Sequence, residues 1–154
     1  MTFADAEPTP AEALRELLET LLDAFAIEGE VVIDEREGQL RGSVDGDHVG
    51  ALVGDDGSVL AAIQHLAQRV VLRGGEGLRV LVDIGGYRAQ REVELRLEAD
   101  RAAARAIAER EAVELAPMSA ADRRCVHEHL RERADIATYS EGDEPNRRLI
   151  VAPA

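Results

Sequence analysis

The stretch GALVGDDGSVLAAIQHLAQRVVL, residues 50–72, decides the fold. Gly54 and Gly57 flank a two-residue turn, so one backbone can come close to another there. A short turn of helix over 47–53 leads into it, and a helix is predicted from Ser58 to about Leu72. Val59, Ile63, Leu66 and Val70 should form the buried face of that helix, with Gly74-Gly75 as its stop. Its first turn aims free N–H groups and the positive end of its dipole at the gap, an arrangement suited to an anion. Asp55 and Asp56 oppose that use, since each would repel a phosphate ~5 Å away by roughly 1 kcal/mol in water-like dielectric. Alternatively, the two aspartates cap the Ser58 helix and stabilise its N-terminus.

Upstream, Ala11 to Phe25 reads as an amphipathic helix, with Leu14, Leu17, Leu18, Leu21, Leu22 and Phe25 at spacings of three and four. Thr9-Pro10 supplies its cap and first position, and Gly29 its end. Residues 1–10 are expected to be a disordered N-terminus. Glu30–Glu35 and Gln39–Asp45 read as two strands joined across Glu37-Gly38. Downstream, Leu78–Ile84 is a strongly apolar strand. The order over 11–86 is therefore α-β-β-α-α-β.

Tyr87 to about Glu111 should be a long helix with Val93, Leu97, Ala104 and Ile107/Ala108 as its buried stripe. Glu94, Glu98, Arg101 and Arg105 then line another face as an ion-pair ladder in water. Val113–Ala116 is a short extended piece. Ser119 with Asp122 three residues on is an N-capping signature for a helix to about Arg133. Ile136–Glu141, the turn 142–145 and Arg147–Ala152 form a closing β-hairpin.

Composition bounds the chemistry. The 154 residues suffice for two small domains sharing one long element, and aromatics are scarce, being Phe3, Phe25, Tyr87 and Tyr139. Base stacking on aromatic platforms is therefore not central. A single cysteine, Cys125, excludes an internal disulfide and a multi-Cys metal site. It reads as a small buried hydrophobe. His127 and His129 lie on different helix faces and do not chelate a metal together. His65 reads as a surface or boundary residue, and Tyr139 as a packed ring with its hydroxyl at the edge. The start of the chain does not read as a signal peptide, and no run has the roughly 20 apolar residues of a membrane span. A cytoplasmic protein with no cofactor, no metal and no membrane association is expected. No nucleophile–base pair or phosphate loop with its lysine is present, so no enzyme is expected either.

The net charge of −13 is unevenly placed: residues 1–84 hold six arginines against seventeen acids, residues 85–154 twelve against fourteen. Any polyanion should therefore meet the second half. There, Arg123 and His127 are four apart and project from one helix face, where guanidinium and imidazole could donate to successive phosphate oxygens.

Several runs together resemble the Jag family. They are Gly50-x-Leu52-x-Gly54-x-x-Gly57-x-x-Leu60-x-Ala62-x-Gln64, then Asp83-Ile84, Gly86-Tyr87-Arg88 and Arg91. Pro117-Met118-Ser119, Thr138-Tyr139-Ser140-Glu141-Gly142 and Glu144-Pro145 complete the set. The resemblance implies an α+β chain with a type II KH domain over 11–86. A long helix would join it to a small Arg-x-x-x-His domain over 87–154 that ends in the hairpin. It implies single-stranded RNA or DNA as ligand, with Arg123, His127, Arg147 on the last strand and Arg124 as contacts. Gly54, Asp55, Asp56 and Gly57 would be the KH loop, its aspartates departing from the family pattern. A small KH-domain protein partner or a homodimer is also implied. Two readings follow: a non-catalytic RNA-binding regulator acting through the second domain, or a protein–protein adaptor whose acidic KH unit no longer binds RNA.

Overall fold

Thr9 starts the first helix as the sequence predicts. In the computed structural model, which describes residues 7–72 and 77–154, its hydroxyl accepts from the Glu12 amide while the Glu12 carboxylate accepts from the Thr9 amide. This capping box satisfies two otherwise unpaired donors of helix α1, Pro10–Ala24. The expected disordered N-terminus therefore stops short of Thr9 and Pro10, and residues 1–6 lie outside the described residues. Leu14, Leu18 and Leu22 are the buried stripe of α1, whereas Phe25, expected on it, follows the helix end and is exposed.

The chain divides into two compact units, Met1–Arg88 and Ala89–Ala154. In the first, strands β1 (Glu30–Arg36) and β2 (Gln39–Asp45) pair antiparallel, Arg36 opposite Gln39 across the two-residue turn. Strand β3 (Arg79–Ile84) joins β2 in parallel, giving the order β1-β2-β3. The parallel step requires a crossover, which Val49–Leu52 (a 3-10 turn), the Gly54–Gly57 loop and helix α2 (Ser58–Val71) supply. This is the predicted α-β-β-α-α-β unit, with the leucines of α1, the inner face of α2 and Leu40, Val44, Val80, Val82 and Ile84 of the sheet in one core.

The buried stripe of α2 is Leu60, Ile63, Ala67 and Val71. Of the expected set, Ile63 lies on this stripe, while Val59 and Val70 are only partly buried and Leu66 faces out, each one residue away from a buried neighbour. Two overlapping helical registers run through so apolar a helix, and the small Ala67 rather than the larger Leu66 meets the sheet. The expected stop at Gly74-Gly75 lies outside the described residues.

Helix α3 (Tyr87–Glu109) leads into the second unit, where β4 (Val113–Glu114), helix α4 (Ala120–Leu130), β5 (Ile136–Glu141) and β6 (Arg148–Pro153) follow. The sheet is antiparallel with β6 in the middle. Ser119 caps α4 by accepting from the Asp122 amide. The core holds Val126 and Leu130 of α4, Leu149 and Val151 of β6, and Leu95, Ala99, Ala102, Ala103 and Ala106 of α3.

The buried face of α3 thus contradicts the expected stripe. Val93, Leu97 and Ile107 are 58%, 51% and 40% exposed. Alanines at 99, 102, 103 and 106 let the helix backbone approach its neighbours closely, which the larger side chains would prevent. The ion-pair ladder is also incomplete. Arg96 pairs with Glu92, Arg105 with Glu109 and Arg91 with Glu94, but Glu98 and Arg101 make no ion pair among the described residues. Among the described residues, no helix is long and apolar enough to cross a membrane.

Candidate nucleic-acid interface

Arg123 sits on the same stripe of α4 as Val126 and Leu130, at i, i+3 and i+7, and that stripe faces the core. Its side chain is accordingly buried, 7% exposed. One guanidinium nitrogen donates to the Met118 carbonyl at 2.7 Å and lies 3.4 Å from the Arg147 carbonyl. The other terminal nitrogen donates to Glu144 Oε1 at 2.6 Å. A buried cation needs such partners, and these three fasten the loop before α4 and the β5–β6 turn to the helix. Met118 N donates to the same Arg147 carbonyl at 3.2 Å, so the backbone at Arg147 is held from two sides.

His127, one turn on, is exposed, and its Nδ1 lies 2.6 Å from Thr138 Oγ1 on β5. Arg124 is exposed and donates to Glu128 at 2.8 Å, which lowers the Glu128 pKa and raises that of Arg124. Arg131, a further turn along, is exposed and has no ion pair among the described residues. Arg124, His127 and Arg131 therefore form a strip at i, i+3 and i+7 on the outer side of α4. Arg147 precedes β6 rather than lying on it, and its side chain is exposed with no ion pair among the described residues. His129 instead meets Asp100 of α3 at 2.9 Å, so the two histidines engage different elements. At the base of the unit Arg91 donates to Asp122 Oδ2 through two nitrogens, 3.1 and 3.0 Å away.

The loop of the first unit is shaped from within. A Cβ on Gly54 would overlap Val59 Cγ2, and one on Gly57 would lie 2.7 Å from Tyr87 Cε1. Both residues have positive φ, 73° and 79°, so packing and backbone together demand glycine. Neither aspartate caps α2, contrary to the alternative expectation: Gly57 holds the cap position, and the Val53 carbonyl accepts from the Val59 and Leu60 amides. Two of the amides that would face an anion are thereby occupied. Asp55 and Asp56 remain exposed at the tip.

The order of elements, the glycine loop and the α4–hairpin unit coincide with two known domains. Residues 11–84 match the KhpA/KhpB KH domain, and residues 93–153 match the R-3-H domain, whose name abbreviates Arg-x-x-x-His. The chain joins a KhpA/KhpB-type KH domain to an Arg-x-x-x-His domain. It is 31% identical over 140 residues to "RNA-binding protein KhpB" of Clostridium symbiosum, covering 89% of this chain and 63% of that protein. To the Bacillus subtilis protein of the same name it is 29% identical over 146 residues, covering 93% and 70%. To that of Streptococcus pneumoniae it is 28% identical over 151 residues, covering 97% and 46%. The chain thus spans only part of the length of each of these relatives. The resemblance to the Jag family carried by the motifs is thereby confirmed.

Within the KH domain, the junction residues hold the fold together. Asp83 is buried, accepting from Arg41 at 3.3 Å and from the Arg88 amide at 3.4 Å. Gln64 bridges α2 to β3, donating to the Val80 carbonyl at 2.7 Å and accepting from the Val82 amide at 2.8 Å. Arg88 adds bonds to Val82 O and Gln64 Oε1.

In the Arg-x-x-x-His domain, Arg123 and His127 share a helix side but differ in setting, one in the core and one in solvent. Thr138 and Glu144 lie in the quoted runs with no task that spacing assigns, and Arg131 belongs to no motif. The spacing of Arg123 to Val126 and Leu130 was the available signal for its burial. Tyr139, expected to be packed, is half exposed on β5, on the opposite strand face from Thr138. Cys125 is partly buried, and desolvation, with Glu92 next, raises its thiol pKa. His65 is exposed.

Proposed function

We propose that the chain is a non-catalytic protein that binds single-stranded RNA, mainly through the outer face of α4 in its Arg-x-x-x-His domain. Arg124, His127 and Arg131 supply that face, and Arg147 extends it. Arg123 acts behind them as a positioning residue, fixing the backbone at Arg147 and the turn at Glu144 relative to His127. The observation that carries this reading is the pairing of an exposed basic strip with a buried arginine that orders its surroundings. The relatives named RNA-binding protein KhpB support the ligand class.

The KH loop contributes little RNA affinity in this account. Asp55 and Asp56 put two exposed carboxylates where a phosphate would approach, and the Val53 carbonyl occupies two helix amides. The same acidity favours a second task for the KH domain, pairing with another KH-domain protein whose surface is basic.

Fluorescence anisotropy with a mixed-sequence single-stranded RNA at low salt tests both statements. The wild type should bind, His127→Ala/Arg147→Ala should lose most affinity, and Asp55→Lys/Asp56→Lys should gain it. Undiminished binding by the His127/Arg147 variant would overturn the assignment of the face.

A further inference from the structure

We propose that the Tyr139 ring is the stacking platform for a base of the RNA whose phosphates lie on α4, a role that rests on the function proposed for that helix. Tyr139 is 52% exposed on β5. Directly opposite it on β6 stands the buried Ile150, so the ring has an apolar neighbour at its side while about half of the residue meets solvent. A flat aromatic surface in that setting is what a nucleobase covers, whichever base it is. With aromatics scarce in this chain, a single ring serves rather than a row of them.

The strand edge brings this ring within reach of the basic strip. β5 is an outer strand in the order β4-β6-β5, and Thr138 and Tyr139 are consecutive on it, so their side chains leave opposite faces. Thr138 meets His127 on the α4 face, and Tyr139 lies on the other, one edge away. The Ala154 amide donates to the Asp135 carbonyl, which sets the phase of the β5–β6 ladder. Ala137, Tyr139 and Glu141 then bond to β6, and Thr138 and Ser140 turn their backbone N–H and C=O outward. Those groups can hydrogen-bond ribose hydroxyls or a base where the strand crosses the edge.

Charge decides which part of the strand each face takes. On the Tyr139 face, Arg148 stands between Glu114 at 3.1 Å and Glu141 at 3.5 Å, one guanidinium against two carboxylates. That excess repels a phosphate but not an uncharged base. Arg124, His127 and Arg131 give α4 the opposite preference. Phosphates therefore favour the helix, and a base favours the ring.

Fluorescence anisotropy on the full chain at low salt tests this, with a mixed-sequence single-stranded RNA and an abasic strand of equal length. Tyr139→Phe keeps the ring and should bind RNA like wild type. Tyr139→Leu should weaken RNA binding roughly fivefold to a hundredfold and leave binding of the abasic strand unchanged. Phe25→Leu, at the other exposed aromatic among the described residues, is the control and should match wild type. Tyrosine fluorescence of the wild type should be quenched by the RNA, and Tyr139→Phe should lack most of that quench. Should Tyr139→Leu fail to fold by circular dichroism, the quench comparison decides. Tyr139→Leu binding RNA as wild type does would overturn the stacking role alone. So would an equal loss on the abasic strand, or an undiminished quench in Tyr139→Phe. A wild type that binds no RNA would overturn the function proposed for α4 and the stacking role together.

Discussion

Replacing Arg123 with alanine separates a positioning role from a contact role. The substitution strips the Met118 carbonyl of a donor 2.7 Å away in a buried setting, which costs roughly 1–3 kcal/mol. The ion pair with Glu144 adds about 0–1 kcal/mol, because Glu144 is exposed and water screens it. The bond to the Arg147 carbonyl is long at 3.4 Å, and that carbonyl keeps its Met118 amide donor, so its loss adds little; the lost stem removes about 1 kcal/mol of packing. Together the Arg-x-x-x-His domain should lose about 2–5 kcal/mol. His127→Ala, by contrast, removes one exposed hydrogen bond and should cost about 1 kcal/mol or less. Urea unfolding followed by circular dichroism measures both, with the transition of the C-terminal domain fitted separately. RNA binding is then read at a temperature where each variant is folded. Arg123→Ala unfolding at the wild-type midpoint while losing RNA binding would refute the reasoning, for the guanidinium would then act on the ligand directly.

Other perturbations probe the remaining contacts. If two or three of Arg124, His127, Arg131 and Arg147 each neutralise a phosphate, affinity for a single strand should fall roughly tenfold between about 50 and 200 mM salt, and a flat titration would exclude them. Gly57→Ala forces a Cβ toward the Tyr87 ring at positive φ and should destabilise the KH domain by about 1–3 kcal/mol in the same unfolding assay. The Thr9 amide and hydroxyl hold the Glu12 carboxyl below its ordinary pKa. Its stabilisation is therefore full above the ordinary carboxylate value and is lost as pH falls through the lowered one. The gap in urea midpoint between wild type and Glu12→Ala should accordingly be present at neutral pH and narrow as the pH falls below the ordinary carboxylate range.

Much of the fold was legible because local signals agreed. Thr9-Pro10, Ser119 with Asp122, the two-residue turn at Glu37-Gly38 and the glycine loop each fix a boundary through backbone hydrogen bonds that depend on nearby residues alone. Helix faces were less legible. In α2 and α3 the face depends on how closely two elements approach, and alanine decides that by being small, as Ala67, Ala99 and Ala103 do. The Arg-x-x-x-His motif was legible as a pair, and the difference in setting between its two members was not. Arg-x-x-x-His gives the spacing, yet only the apolar partners at 126 and 130 turn Arg123 inward, and only the β5 strand brings Thr138 to His127. The aspartates of the KH loop are exposed at its tip, and their expected capping role failed because the Val53 carbonyl, remote from any side-chain signal, takes the amides.

Amide chemical-shift mapping of the full chain with a single-stranded RNA tests the central claim most directly. Shifts should concentrate on Arg124 to Arg131, Thr138 and Arg147, leaving Gly54 to Ser58 unmoved. Shifts centred on Gly54 to Ser58, with α4 silent, would contradict the account.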